Sequence, residues 1–430
     1  MSERNRVIEG ITGLLVDFLR EEGIEAGKAE QEVRDLLYSA GSVALGHRWS
    51  EQAEEEPEEI ECVCGRRLPR RQVRVKRFLS LLGWTKVKRP YYWCPQCRQG
   101  YYPFDQCLGS RGRAQTGVVQ ECVALTVAEA PYGAGQHLLR TLAGLEIPHH
   151  TLEEIATQLG QALMVERDDG NLPETEEVPE TLCISTDGVK VPMRDGWREA
   201  RVVVSYACDV TPGGIEPEAR DICYSARVED CQATGQRMAD EAIRRGVDKV
   251  CRGVSIGDGA DWIWNQVGDH FPQAIQIVDW YHAVEHLWEV ANTVFGQGTN
   301  DAATWAALRE GELWQGDVES VLQAMRDLFY LRRRTDSTFR NSEAEHVLQT
   351  NMSYFSTHRK RMDYACFRQE KLPIASGVVE SACKHFVAQR CKRSGMQWKQ
   401  TGLHAVLELR AALLSNQWHN VQTLFKDKAA

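Results

Sequence analysis

No stretch of these 430 residues approaches the apolar length that a membrane span needs. The opening "MSERNRVIEGITGLLVDFLREEG" comes nearest, but Asp17 interrupts its short apolar run and charges flank it, so it fits neither a signal-peptide core nor a spanning helix. Internal repeats are missing, and low-complexity sequence is confined to one acidic tract. The spacing of a small disulfide scaffold is missing as well: the fourteen cysteines fall as two close pairs between residues 62 and 97 and ten scattered singles. That is metal-plus-free-thiol usage, and it places the chain in a reducing cytoplasm. Excess positive charge is also lacking. A net charge of −10 argues against a uniformly basic coat for nucleic acid. What is present, 43% hydrophobic residues, is enough to fill the cores of roughly two to four domains.

The average charge hides a sharp segregation. From Glu51 to Glu61 there are seven acidic residues and no basic one; from Cys62 to Arg98 there are eleven Lys or Arg and no Asp or Glu. Blocks of this kind are patches with a partner, or solvated surfaces. Helical spacing in 1–50 predicts two helices, and the acidic run 51–61, with Pro57, reads as a linker. In 62–108 the stretch "QVRVKRFLSLLGWTKVKRPYYW" alternates as two strands about a Gly83 turn. Residues 110–168 return to helix, with Thr151 to Glu154 as a capping box. There "QHLLRTLAGLEIPHH" and "TLEEIATQLGQALM" form either a helix-turn-helix or an ordinary helical hairpin.

The polar stretch "ERDDGNLPETEEVPE" marks the next boundary. In 180–287 three strands come first, and then helix and strand alternate, which indicates a mixed sheet covered by helices. Residues 288–372 read as all-helical, and 373–430 as closing helices. The expected fold class is therefore α+β and multidomain.

Cys62-x-Cys64 and Cys94-Pro-Gln-Cys97 are thiolate pairs at the two ends of the predicted hairpin. Together they can complete a tetrahedral structural zinc site for a basic module that lacks the apolar mass to fold alone; paired structural thiols are the plain alternative. Cys107 is an alternative ligand or a free thiol. Carboxylates recur at predicted strand ends further on. Asp187 lies within the apolar strand "CISTDGVKV", where it is either a functional carboxylate or a turn residue beside Gly188. In "VSIGDGADW" Asp258 closes a strand, at the edge where mixed sheets collect their sites, while Asp261 reads as a helix-start carboxylate. Asp279 closes a third strand in "IVDWYHAVEHLW", with His282 and His286 one turn apart. Far downstream, Ser376 is a candidate N-cap and Glu380 heads a basic segment; from Ser381 to Lys399 there are five Lys or Arg and no acid. Glu380 either pairs with Lys384 at i,i+4 or joins the aspartates. Two strand-borne aspartates and a helix-borne glutamate suit two Mg²⁺ ions about 3.5–4 Å apart, the arrangement for phosphoryl transfer.

"STDGVKV", "GDGADWIW…FP…VDWYH" and "SGVVESACKH…QR.KRSGMQW", in that order after "YYWCPQC…YYPFD", resemble the bacterial insertion-sequence transposases of the ISKra type. That group belongs to the Mutator-like set of DDE transposases. The resemblance covers the chain from about residue 60 to about residue 415. It implies an RNase H-like catalytic core with an all-helical insertion, behind a zinc-ribbon module and a helical DNA-binding region. Asp187, Asp258 and Glu380 would be its catalytic triad, holding two Mg²⁺ or Mn²⁺ ions, and Asp279-x-x-His282 would match the supporting acidic-plus-histidine motif. The tight C-x-C spacing at Cys62 and Cys64 departs from the usual zinc pair.

The implied activity is cleavage at the ends of an element followed by strand transfer into target DNA. Two other readings stay open: a nuclease of the same core without strand transfer, and a domesticated zinc-ribbon DNA-binding protein without catalysis. The implied partners are double-stranded DNA, as terminal inverted repeats and target, and further copies of the chain assembled on it. No membrane partner is expected. DNA contacts are expected from Arg70, Arg71, Arg74, Lys76, Arg77, Lys86 and Lys88, and from Arg390, Lys392 and Arg393. The basic stretches "LRRRTDSTFR" and "HRKRMDY" either lie along phosphates or form solvated helical faces.

Overall fold

The computed structural model describes residues 2–172, 178–210 and 217–426, so residues 173–177 of the expected polar boundary, and the last four residues, lie outside the described residues. Two compact units emerge: Met1–Ile155 with Val421–Ala430, and Ala156–Asn420. Among the described residues no helix is long and apolar enough to cross a membrane.

The first unit opens with helices α1 (Glu3–Glu21) and α2 (Ala26–Glu54). An antiparallel sheet follows in the order β1 (Glu59–Glu61), β2 (Arg67–Ser80), β3 (Gly83–Cys94), β4 (Gln99–Tyr101). The two long strands form the expected ribbon, from Ser80↔Gly83 at the turn outward; Gly83 has φ +100°, a conformation that favours glycine. Alternation divides its residues. Phe78 and Val87 face a core with Ala53, Phe104 and Trp49, while Val73 and Val75 face solvent. Helix α2 covers the open edge of β3: a Cβ on Gly46 would meet the Lys86 carbonyl at 2.6 Å, and Ser50 Oγ accepts the Lys88 N–H at 3.0 Å.

The acidic linker needs correcting. Helix α2 runs on to Glu54 because Trp49 and Ala53 are anchored in this core, and residues 59–61 pair as β1, which leaves only a short break at Pro57. Helices α3 (Phe104–Cys107), α4 (Gly117–Glu129), α5 (Tyr132–Ala143) and α6 (His149–Asp168) follow. Helix α6 starts two residues ahead of the expected Thr151 cap, since the Pro148 carbonyl already accepts the Thr151 N–H at 2.9 Å.

The second unit is built on a mixed five-stranded sheet. Strands β5 (Thr181–Met193), β6 (Gly196–Val210) and β7 (Pro217–Arg227) come first, then helix α7 (Cys231–Arg244), strand β8 (Arg252–Gly257), helix α8 (Asp261–His270) and strand β9 (Ile275–Val278). The spatial order is β7-β6-β5-β8-β9; the first three are antiparallel, and β8 and β9 run parallel to β5. Helices α9 (Trp280–Phe295), α10 (Asn300–Trp314), α11 (Val318–Thr335), α12 (Glu343–His358) and α13 (Tyr364–Gln369) make the all-helical region. The chain then returns as α14 (Gly377–Ala382), a π-helical segment (Cys383–Ala388), α15 (Gln389–Cys391), α16 (Gln400–Leu414) and α17 (His419–Thr423).

A buried ion network binds sheet and helices. Glu408 of α16 accepts Arg167 Nε at 3.0 Å and Arg227 at 3.1 Å, and Glu241 of α7 accepts Ser205 Oγ at 2.9 Å and Arg244 at 2.7 Å. Burial pushes both carboxyls up, but the neighbouring guanidiniums outweigh it and hold both below the ordinary glutamate range. A depressed folded-state pKa means that stabilisation is complete above the unfolded value, about 4.3, and is lost as pH falls through the folded one. Thermal melts should therefore be flat from neutrality to about pH 5 and fall below it. Glu408→Gln leaves two buried arginines short of charge and should cost about 3–5 kcal/mol at neutral pH, with a shallower acid limb.

Candidate active site and nucleic-acid interface

Parallel pairing sets three aspartates side by side. The last registered β5–β8 pair is Ser185↔Ile256, and two residues further along each strand stand Asp187 and Asp258. The last β8–β9 pair is Gly257↔Val278, and one residue further Asp279 donates its N–H to the Gly257 carbonyl at 2.8 Å. Asp258 and Asp279 thus stand just past the carboxyl ends of β8 and β9, level with Asp187 midway along the longer β5. The β8 strand turns away where Asp258 Oδ1 accepts the Ala260 N–H at 2.9 Å. Gly259 sits at φ +103° with the Tyr354 ring where a Cβ would be, so glycine is required there twice over. Asp261 begins α8 as an exposed first-turn carboxylate.

Asp187 Oδ1 accepts the Gly188 N–H at 2.6 Å, and its Oδ2 accepts the Cys383 thiol at 3.4 Å. Burial raises its pKa and the Asp258 charge adds to that, while the hydrogen bonds and His282 pull the other way. A half-buried carboxylate beside a second one, with no lysine or arginine paired to either among the described residues, has the electrostatics of a cation site.

Asp279 is fully buried. Its Oδ1 accepts the His282 N–H at 2.8 Å, capping α9, and its Oδ2 accepts the Ser376 N–H ahead of α14. Ser376 Oγ in turn donates to Glu380 Oε1 at 2.8 Å. The expected N-cap serine therefore holds the glutamate side chain and makes no side-chain cap bond. Ligand atoms of Asp279, His282 and Glu380 lie within 4.8 Å of one another. Among the described residues no such tight group contains Asp187 or Asp258. No ion pair joins Glu380 to Lys384 among the described residues; the helix widens into its π segment at Cys383, and buried Arg410 donates to the Phe386 and His385 carbonyls there, each at 2.9 Å.

The two histidines diverge. His282 Nδ1 meets Glu285 Oε2 at 3.1 Å, which leaves Nε2 as the free ring atom. His286 instead bonds Asn351 at 2.7 Å and stacks on Tyr354 at 3.8 Å. Tyr354 donates to the Asp258 carbonyl at 2.9 Å and Tyr364 to the Val278 carbonyl at 3.0 Å, so two helical-region tyrosines brace the strand ends. Sequence reasoning missed both tyrosines, as well as Cys383 and Arg410. Only Cys383 carried a signal, one helical turn beyond Glu380.

In the first unit Cys62, Cys64, Cys94 and Cys97 bring their sulfurs within 4.8 Å of one another, and Cys107 stands outside that group. The Cys97 N–H donates to Cys94 Sγ at 3.4 Å, while a backbone hydrogen bond at Cys64 and then the Tyr101 hydroxyl draw the Cys62 thiol down to about 6. Four thiols so placed could hold a structural metal such as zinc.

The cations expected on DNA divide into two sets. Arg70 donates to the Glu54 and Glu56 carbonyls, Lys76 pairs with Asp105 at 3.1 Å, and Arg74 stacks on Tyr91 at 3.7 Å. These bonds are internal braces. Arg71, Arg77, Lys86 and Lys88 are exposed, as are Lys392 and Arg393 in the second unit. Arg390 corrects its expectation: it is 1% exposed and lies against the Trp398 ring, so its charge is not presented to a phosphate.

The model of UPF0236, described as an uncharacterised protein family, matches residues 64–424. No curated protein matches the chain. Among solved structures, the Drosophila P element transposase strand transfer complex matches at 10% identity and a TM-score of 0.25, covering 71% of this chain and 81% of that one. That score is too low to establish a shared fold.

Two measurements bear on these sites. Metal analysis of freshly purified protein should find about one zinc per chain, lost when Cys94→Ser and Cys97→Ser are combined. In urea denaturation Asp279→Asn, which turns an amide donor toward a buried N–H, should cost about 1–3 kcal/mol, whereas exposed Asp261→Asn should stay within about 0.5 kcal/mol of wild type.

Proposed function

The chain belongs to UPF0236, an uncharacterised protein family, and we propose that it is a DDE-type DNA transposase of the ISKra-like bacterial insertion-sequence kind. It would cleave DNA at the ends of its element and transfer the strand to target DNA. One observation carries the reading. Asp187 and Asp258 end up on adjacent parallel strands, and a hydrogen-bonded relay from Asp279 through Ser376 brings Glu380 to the same edge. The sheet order supports it: a central β5 flanked by an antiparallel β6–β7 hairpin on one side and two parallel strands on the other is the arrangement of an RNase H-like core.

The donor set fits a hard divalent cation, being oxygen-rich, with Asp187 raised by burial and by its neighbour's charge. Asp187, Asp258 and Glu380 would hold Mg²⁺ or Mn²⁺, which supplies activation of a water or 3′-hydroxyl and charge stabilisation of the leaving oxygen. The remaining work falls to the chain. Asp279 fixes the entry of α9 and α14, and Ser376 orients the Glu380 carboxylate. The Cys383 thiol orients Asp187, and Tyr354 pins the peptide that carries Asp258. His282, with Nδ1 held by Glu285, presents Nε2 to a scissile phosphate or a ligand carboxylate.

The test uses DNA that flanks the coding sequence, searched for short inverted repeats and offered to purified protein with Mg²⁺ or Mn²⁺. Asp187→Asn, Asp258→Asn and Glu380→Gln should each lower cleavage by about 10³-fold or more while duplex binding persists, since an amide keeps shape but not charge. Asp261→Asn should cleave normally. Cleavage without joining would leave the nuclease reading in its place, and normal cleavage by Asp258→Asn would remove the proposed site.

A further inference from the structure

The zinc-ribbon module presents one side of its ribbon to solvent, and that side has an unusual make-up. Register pairs Val75 with Lys88 and Arg77 with Lys86 across the two strands, and Val73 and Trp84 continue the same face opposite buried Pro90 and Leu79. Val73 is 54% exposed, Val75 62% and Trp84 45%. Lys86 and Lys88 have no ion-pair partner among the described residues, and Arg77 has only the Trp84 ring, 5.1 Å away. No acidic residue lies on this face, because the strands between 62 and 98 contain none. The opposite face carries the braced cations: Lys76 and Arg89 meet Asp105 at 3.1 and 2.5 Å, and Arg74 bonds the Tyr102 hydroxyl at 3.0 Å.

We infer that the solvent-facing side of the β2–β3 ribbon is the duplex-DNA contact of this module, with Val73 and Val75 toward a groove and Arg77, Lys86 and Lys88 on phosphates. The inference rests on the transposase reading for the class of partner, and adds the surface and its residues. Charge complementarity carries it. Three unneutralised cations beside two exposed valines repel a second copy of the same face, and the apolar area of those valines is far below the roughly 800 Å² per partner of a stable protein interface. A polyanion removes the repulsion, and release of its counterions drives binding.

Shape agrees. Two strands about 4.8 Å apart with their side chains fit the major groove, which is about 12 Å wide and admits a β-ribbon. Val73 and Val75, toward the far end of the face from the Gly83 turn, suit thymine methyls, and the cations between Val73 and the turn suit the backbone. The thiol group at one end of the ribbon and α2 along the β3 edge hold it stiff, so little ordering is needed on docking.

The experiment uses the full chain and a mixed-sequence duplex of about 30 base pairs, with affinity measured across a salt series. Replacing Arg77, Lys86 and Lys88 together with Ala should flatten the slope of log K against log salt by about 2.7, at about 0.9 per phosphate contact. Val75→Asp, a separate single change at an exposed position, should weaken binding at every salt concentration. Both proteins should keep their zinc content and melting temperature, since none of these side chains is buried. An unchanged slope in a folded triple variant overturns the inference, as does a triple variant whose only defect is in self-association. Those outcomes leave the transposase reading intact, because cleavage by the second unit would persist at high protein concentration. A wild-type chain that binds no duplex overturns both.

Discussion

A carboxylate with no exposed surface, Asp279, fixes the geometry on which the candidate site depends. Among the described residues it forms no ion pair with a guanidinium or ammonium; two backbone N–H groups, those of His282 and Ser376, satisfy it instead. The first stands at the start of α9, where the helix dipole also favours a negative charge. The second lies 97 residues beyond Asp279 along the chain. One residue therefore closes the long helical excursion, and the adjoining Trp280 N–H to Ile374 carbonyl bond, at 2.9 Å, doubles the closure. Glu380 comes to the strand edge because Ser376 is held there. If the second oxygen of Asp279 lost its donor, the position of Glu380 would be set only by the packing of a six-residue helix.

The helical region between Asp279 and Glu380 is thus more than an appendage. Tyr354 and Tyr364 reach back to the carbonyls of Asp258 and Val278, groups at strand ends that have no further strand to pair with. The basic stretches in this region are also partly committed. Arg332 donates to the Val294 carbonyl at 3.0 Å, Arg333 pairs with Glu345 at 2.5 Å, and Arg361 holds Gln276 at 2.7 Å. Downstream, the π segment shifts the carbonyl register of the helix after Glu380, and Arg410 donates to two of its carbonyls. A locally unfavourable turn is thereby held by a buried side chain from α16, and Cys383 is brought to Asp187.

Period-2 alternation and the Gly83 turn made the ribbon legible in the sequence, and apolar runs ending in aspartate made the ends of β8 and β9 legible, because both signals are local. The four cysteines were readable from spacing. What could not be read depends on which partner a group finds. Arg390 and Lys392 look alike in a basic run, yet one is buried against Trp398 and the other is exposed. The acidic run reads as a linker from charge alone, but glutamates are good helix formers and Trp49 gives that helix a core to hold. Tyr354 and Tyr364 belong to no motif, and the carbonyls they serve belong to strands that precede them by about a hundred residues or less. Ser376 was read as a cap from its type and position; only the fold shows its hydroxyl turned to Glu380.

The same distinction governs charge in the first unit. Seven acids followed by eleven bases look like two opposed blocks, one repelling DNA and one attracting it. In the fold Arg70 turns its guanidinium to carbonyls of the acidic run, 3.7 Å from Glu58, and Tyr92 donates to the Pro57 carbonyl at 2.5 Å, so the first block serves partly to seat the second. Asp105 engages two more cations from the far side of the ribbon. A phosphate backbone competes poorly for cations already held in such partly buried pairs, since their release would leave a carboxylate unpaired. The attraction that remains is set by the cations that the fold leaves without partners. A chain with net charge −10 can therefore present a cationic face, provided that its acids are segregated in sequence and its internal pairs are concentrated on one side of a sheet.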